Sequence, residues 1–243
     1  MKNLTPADIV GIWESGHQSP DWRKAVITLA SALPDLGKED LAALSIGQRN
    51  AYLLALREAL IGPIMRARVA CPRCKEQLEF EQIIAELLDG YVAPEAQTFD
   101  HASGEYELRY RLLTSADLAQ AATRRTLPDA EASLIANAIV DATCGGEPAA
   151  AAALPAELIE TLGDAIAAAD PLARVRVPLA CAGCEHVWRA SIDIVTFLWT
   201  ELDFRAREIL EDVVTLARHY GWNESDILAM SSARRQYYLG MIE

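Results

Sequence analysis

Apolar positions in the first sixty residues recur at helical spacing, and each run starts and stops on residues suited to a helix terminus. Thr5 with Pro6 behind it forms an N-cap followed by a first-turn proline, and Gly16 closes that segment. Ser19-Pro20 repeats the device before a helix that carries Trp22, Val26, Leu29 and Leu33 on roughly one face and stops at Pro34. Ser45 and Gln48 make a capping box for a third helix, which continues through Tyr52, Leu53, Leu56 and Leu60 to Gly62-Pro63. Residues 1–65 read as an N-terminal helical unit.

From residue 66 the period shortens to two. Arg66-Ala-Arg-Val-Ala and Arg174-Val-Arg-Val-Pro-Leu-Ala are β-prone lead-ins, and Leu78 with Phe80 continues the alternation after the first. An apolar segment over 83–88 ends at Asp89-Gly90. Tyr106, Leu108, Tyr110 and Leu112 alternate with charged residues, so with Gln97-Thr-Phe-Asp upstream they predict a β-hairpin. Thr114 to Asp117 caps a helix. Two more are expected over about 129–142 and 155–169, with a Gly/Pro/Ala-rich link between them and a stop at Asp170-Pro171. A strand over 190–195 then precedes one long helix over about 197–220, in which Leu198, Leu202, Ile209, Val213, Leu216 and Tyr220 recur near helical spacing. Gly221 closes it, and short helices over 224–230 and from Ser231/Ser232 onward complete the chain.

The chain is accordingly expected to be α+β and predominantly helical. Its parts are the helical unit (1–65), a split knuckle module (66–80 and 174–195), an inserted hairpin with helices (81–173) and a C-terminal helical tail (196–243). The module is named for two Cys-x-x-Cys pairs, Cys71/Cys74 and Cys181/Cys184, each lying between strand-like arms. Two cysteines on a tight turn present their sulfurs to one metal ion, and a structural zinc site needs four such ligands in a tetrahedron. Two matching half-sites supply four, which predicts one structural Zn2+ per chain held by Cys71, Cys74, Cys181 and Cys184. Separate redox dithiols are the alternative use. A thioredoxin-like dithiol would open a helix after a strand within a βαβ unit, however, and neither pair is so placed. Cys144, before Gly145-Gly146 at the expected end of a helix, has no partner and reads as a free thiol. His186 reads as solvent-facing or as a neighbour of the ligands.

Composition and charge narrow the function. With 51 % hydrophobic and 23 % charged residues, the chain is composed as a folded protein. Its formal net charge of -13 opposes nucleic-acid binding, which calls for a basic face. Arg66, Arg68, Arg73, Arg174, Arg176 and Arg189 do gather near the knuckles, where long charged side chains also protect exposed strand edges from pairing. No apolar run approaches membrane-spanning length, and the start enters a capped helix with no apolar signal-peptide core. An odd cysteine count with metal-type spacing suits a reducing compartment, so a cytoplasmic or particle-associated location is expected. The four histidines form no His-Glu-x-x-His motif, and neither a phosphate-binding glycine loop nor a Gly-x-Ser-x-Gly elbow occurs. A non-enzymatic protein without a small-molecule substrate is expected.

Several stretches carry a resemblance. They are Ile46-Gly-Gln-Arg-Asn-Ala-Tyr-Leu-Leu, Cys71-Pro-Arg-Cys74, Cys181-Ala-Gly-Cys184-Glu-His-Val-Trp188, and the tail from Tyr220-Gly-Trp222 to Arg234-Arg-Gln-Tyr-Tyr-Leu239. Together they resemble baseplate hub or wedge assembly proteins of T-even-type contractile phage tails and phage-tail-like injection systems, in a branch that carries zinc knuckles. The resemblance implies an assembly chaperone or minor structural component that binds a baseplate or hub subunit. The expected docking surface is C-terminal and aromatic: Trp199, Tyr220, Trp222, Arg234, Arg235, Tyr237 and Tyr238. On a short helix one face cannot bury both arginines and both tyrosines, so at least one of each is expected outside the core. The same residues could instead close a helical hairpin on its own core. A zinc-ribbon adaptor for nucleic acid or transcription machinery is the competing class, and a thiol oxidoreductase a third.

Overall fold

The computed structural model describes residues 1–242 and is an α+β fold dominated by helices. Helices α1 (Pro6–Gly16), α2 (Asp21–Ala32), α3 (Lys38–Ala43) and α4 (Ile46–Ile61) come first. Reciprocal capping boxes at Thr5/Asp8 and Ser45/Gln48 start α1 and α4. Periodicity did not reveal α3, because Leu41 is its only buried residue. An antiparallel pair follows, β1 (Ile64–Ala70) with β2 (Gln77–Ile83), and then α5 (Ile84–Leu88).

The inserted body contains β3 (Phe99–Ser103), β4 (Tyr106–Tyr110), α6 (Ser115–Ala121), α7 (Leu127–Ala138), β5 (Ile139–Cys144), β6 (Glu147–Pro148) and α8 (Ala156–Ala169). Its four strands pair in sequence order as one antiparallel sheet. Leu108, Tyr110 and Leu112, on the apolar side of the predicted alternation, pack against Leu158 and Leu162 of α8 in a core of their own. Residues 139–142, expected as the last turn of a helix, form strand β5 with Thr143 and Cys144 instead. Ile139 and Val140 are β-branched, Gly145 and Gly146 supply a left-handed turn (φ 57 and 85), and β4 offers an edge to pair with. Cys144 therefore ends a strand, opposite Tyr106.

A short 3₁₀ turn (Pro171–Arg174) leads to β7 (Arg176–Ala180), which pairs with β8 (Val187–Ser191). Ile194 and Val195, expected to finish that strand, open α9 (Ile194–Tyr220). Asp193 caps the helix by accepting from the Thr196 amide at 2.7 Å, and both apolar side chains turn into the main core. Helices α10 (Glu224–Leu228) and α11 (Ser232–Leu239) complete the described residues.

At 27 residues, α9 is about 40 Å long and belongs to two cores. Its first half, with Leu198, Trp199, Leu202 and Ile209, is buried against α1, α2 and α4, so the expected tail starts inside a helix whose beginning sits with the N-terminal unit. Its second half packs Val213 and Leu216 against Ile227 in a small C-terminal core. In the main core Gly16 lets α1 approach the Trp199 ring, since a Cβ there would lie 2.3 Å from it.

Within the insertion, Asp117 receives Arg111 Nη2 and Nη1 at 2.6 and 2.8 Å, and the amide and hydroxyl of Thr114 at 2.9 Å each. Burial acts to raise its pKa, but these bonds favour the carboxylate and hold it below the ordinary range. A depressed carboxyl pKa stabilises the fold above the unfolded value and ceases to do so as pH falls through the folded value. Melting temperature should therefore fall with acidification below about pH 4, and less steeply in Asp117→Asn than in the wild type, as a calorimetric pH series would read.

Candidate metal centre and C-terminal surface

The cysteines sit on two turns of matching geometry. In the first, the Cys71 amide donates to the Glu76 carbonyl at 2.8 Å and the Lys75 amide donates to the Cys71 carbonyl at 2.9 Å. The second repeats this with Cys181 to His186 and Glu185 to Cys181, both at 2.9 Å. Lys75 and Glu185, four residues after the leading cysteine of each knuckle, are, among the described residues, the non-glycine residues with positive φ, at 67 and 57. That left-handed step is uncommon for such residues; here it reverses the chain so that two sulfurs point to one spot.

The fold brings all four sulfurs within 4.8 Å of one another. The cross-knuckle contacts are Cys71 Sγ to Cys184 Sγ at 3.7 Å and Cys74 Sγ to Cys181 Sγ at 3.5 Å. A tetrahedral ion bonded to sulfur at about 2.3 Å requires sulfur–sulfur edges of about 3.8 Å, so the two cross-knuckle edges match that shell and the set could hold such a metal. The knuckles also interlock: a Cβ on Gly183 would lie 1.8 Å from Glu76 Oε2, so the glycine of one makes room for the carboxylate of the other.

Cys71, Cys74 and Cys181 are shifted in different directions. Burial opposes ionisation of Cys71, yet the amides of Cys74 and Arg73 and the sulfurs of Cys74 and Cys184 bring its pKa down to about 7. Cys181 is pushed up, by burial first. Cys74 accepts a bond from the Glu76 amide, which favours the thiolate, but Cys184 and burial outweigh it and raise the pKa. A divalent cation supplies the positive charge that four thiolates need.

His186 lies outside the sulfur cluster, with its ring stacked on Trp188 at 5.8 Å. Arg66 and Arg68 of the basic lead-in are engaged across the strand pair by Glu81 and Glu79, at 2.8 and 2.6 Å. These pairs are exposed and screened, so they neutralise the patch more than they stabilise it.

The structure separates the aromatic and basic residues expected to form the C-terminal surface. Trp199 is in the main core, 5 % exposed, and donates from Nε1 to the Thr28 hydroxyl at 3.0 Å. Arg235 is 1 % exposed and reaches Asp212 at 3.3 Å and the Met230 carbonyl at 3.2 Å. Both are buried, because each fills a position that its helix turns inward. Tyr220, Trp222 and Tyr238 form a half-buried ring cluster, with Tyr220 stacked on Trp222 at 4.4 Å and Tyr238 edge-on to Trp222 at 4.8 Å. Arg234 lies over the Tyr238 ring at 5.6 Å, and Tyr237 is 65 % exposed beside it. One arginine and one tyrosine thus face solvent. Asp212, the partner of Arg235, carried no sequence signal, since it lies 23 residues away on another helix.

Paired knuckles that bring four sulfurs within 4.8 Å of one another, with an inserted body between them, define an α+β protein with a candidate metal centre. The family described as T4 bacteriophage base plate protein matches residues 13–198. The chain belongs to that family, which gives it a baseplate-related structural role. No curated protein and no solved structure matches it. The matched stretch includes all four cysteines and ends early in α9, so the C-terminal ring cluster lies beyond it. Among the described residues no helix is long and apolar enough to cross a membrane.

Proposed function

We propose that this protein is a non-enzymatic assembly factor or minor structural component of the baseplate of a contractile phage-tail-like particle. In this reading the four cysteines hold a structural zinc ion. Four protein thiolates fill a tetrahedral shell and leave no position for water or substrate, so the ion contributes folding energy and rigidity. The observation that carries the proposal is the sulfur cluster itself, which joins two segments more than a hundred residues apart within a chain of the baseplate family. It locks the two knuckle hairpins, which rise from the helical core, into one rigid unit, a form suited to holding another subunit in a set orientation.

The partner is a baseplate or hub subunit, received on the face made by Arg234, Tyr237 and the accessible edges of Tyr220, Trp222 and Tyr238. Aromatic and arginine side chains dominate interface energetics because they bury large areas and make directed bonds. Arg234→Ala and Tyr237→Ala should each weaken capture of that subunit by about 1 to 3 kcal/mol, with melting temperature and metal content unchanged. Co-expression with each baseplate subunit of the same particle, followed by titration of the captured one, measures the effect. Equal capture by both variants and the wild type would remove this surface from the proposal.

A further inference from the structure

Helix α4 holds one cysteine hairpin at each of its ends. At its C-terminal end Arg57 donates from Nη1 to the carbonyls of Gly62 and Ile64, at 2.7 and 2.8 Å, which fixes the entry to β1. At its N-terminal end the Gly47 amide donates to Asp170 Oδ2 at 2.8 Å, and Asn50 Nδ2 donates to the Leu172 carbonyl at 2.8 Å. Asp170 and Leu172 lie at the start of the 3₁₀ turn that delivers the chain to β7. The second hairpin is thereby tied, across 123 and 122 residues of sequence, to the same rod that carries the first.

Details of this tie set it apart from ordinary core packing. Arg49, itself buried, braces Asn50 with bonds to Oδ1 at 3.1 and 2.9 Å and reaches the Ser115 hydroxyl of α6 at 3.1 Å. Asp170 is 2 % exposed, and its Oδ1 has no hydrogen-bond partner. Such an oxygen is costly to bury, so apolar contact would serve stability better. Gly47 is what admits the carboxylate: a Cβ there would sit 1.8 Å from Asp170 Oδ1. A glycine inside a helix is otherwise a disadvantage.

We infer that Gly47, Asn50 and Asp170 are positioning residues for the metal centre, setting the separation of the two half-sites and through it the affinity for the ion. The inference rests on the metal reading above. When four ligands are divided between two arms, the second pair binds at the effective concentration its tether allows, and a tether that holds the correct spacing raises the overall affinity. Because coupling is reciprocal, a bound ion also strengthens the tie between Asp170 and α4.

Zinc affinity of the full-length protein, measured by competition with a chromophoric chelator, tests this. Gly47→Ala should weaken zinc binding by about tenfold, the lower end of the range for residues that support metal ligands. Helix propensity alone would make the same change neutral or favourable. Asp170→Asn, which keeps the size and an acceptor oxygen, should retain most of the affinity. If Gly47→Ala does not fold, Asn50→Ala removes the bond to Leu172 without intruding on Asp170 and should shift affinity in the same direction. A lowered melting temperature of the metal-free protein with unchanged zinc affinity in the folded variants would overturn the inference while leaving the metal reading standing. A wild-type protein that binds no zinc would overturn both.

Discussion

Replacing Cys71 or Cys181 with serine should strip the metal from the protein and destabilise the two knuckles together with the strands that carry them. Both sulfurs are buried, at 0 and 2 % exposure, and each contacts a sulfur of the other knuckle. Loss of either therefore breaks the bridge as well as one half-site. Structural four-ligand zinc sites contribute on the order of 10 kcal/mol of apparent binding energy, and that energy is folding energy wherever the site does not exist before folding. Here the hairpin bases are separately anchored, with Met65, Ile84, Leu172 and Val175 in the main core, so the loss should fall chiefly on the outer knuckles and the strands that carry them. The wild type should contain about one zinc per chain by elemental analysis. The two variants should contain little, and their melting profiles should match that of chelator-treated wild type. Cys144→Ser should change neither quantity, since Cys144 ends a strand of the inserted sheet, outside the sulfur cluster. Metal in normal amount in Cys181→Ser would refute the ligand set.

Arg57→Ala should cost up to about 3 kcal/mol, the upper end for leaving buried hydrogen-bond acceptors without their donor, since the Glu201 side chain is a quarter exposed and water can reach its carboxylate. The Arg57 side chain is 4 % exposed; Nη2 meets Glu201 Oε1 at 2.6 Å and Nε meets Oε2 at 3.0 Å. This two-point grip joins α4 to α9 while Nη1 holds the two carbonyls at the entry to β1. Truncation leaves the Glu201 carboxylate facing a gap and two carbonyls without their donor, and a charge or polar group stranded in this way costs more than its bond contributed. A double variant, Arg57→Met with Glu201→Leu, removes both charges and should recover much of the loss. Chemical denaturation of the two variants measures the difference, and equal destabilisation in both would show that packing, not the stranded charge, dominates.

Much of the scaffold was legible in the sequence, because the signals that specify it are local. Capping boxes link a residue to its third neighbour, as at Ser45 and Gln48, and the turn that aims Cys71 and Cys74 at one point is complete within a few residues. The repeat of that turn at Cys181 and Cys184 sufficed to predict a shared four-sulfur cluster. The strand at 139–144 was not legible, because its pattern suits the end of a helix until β4 offers an edge.

The C-terminal residues mark the boundary between the two kinds of information. That one arginine and one tyrosine must face outward followed from the sequence, since consecutive helical side chains point about 100° apart. Which arginine, and which large aromatic, depended on how each helix is rotated about its axis. Packing of α11 on α9 sets that rotation so that Arg235 meets Asp212 and Arg234 stays outside. In the same way Trp199 is core because Gly16 of α1 opens a space for its ring, and Gly47 opens one for Asp170. Local chemistry determined the elements and the four-sulfur cluster. The inward and outward sides, and the ties that space the two half-sites, were decided by contacts between residues far apart in the chain, for which periodicity carries no signal.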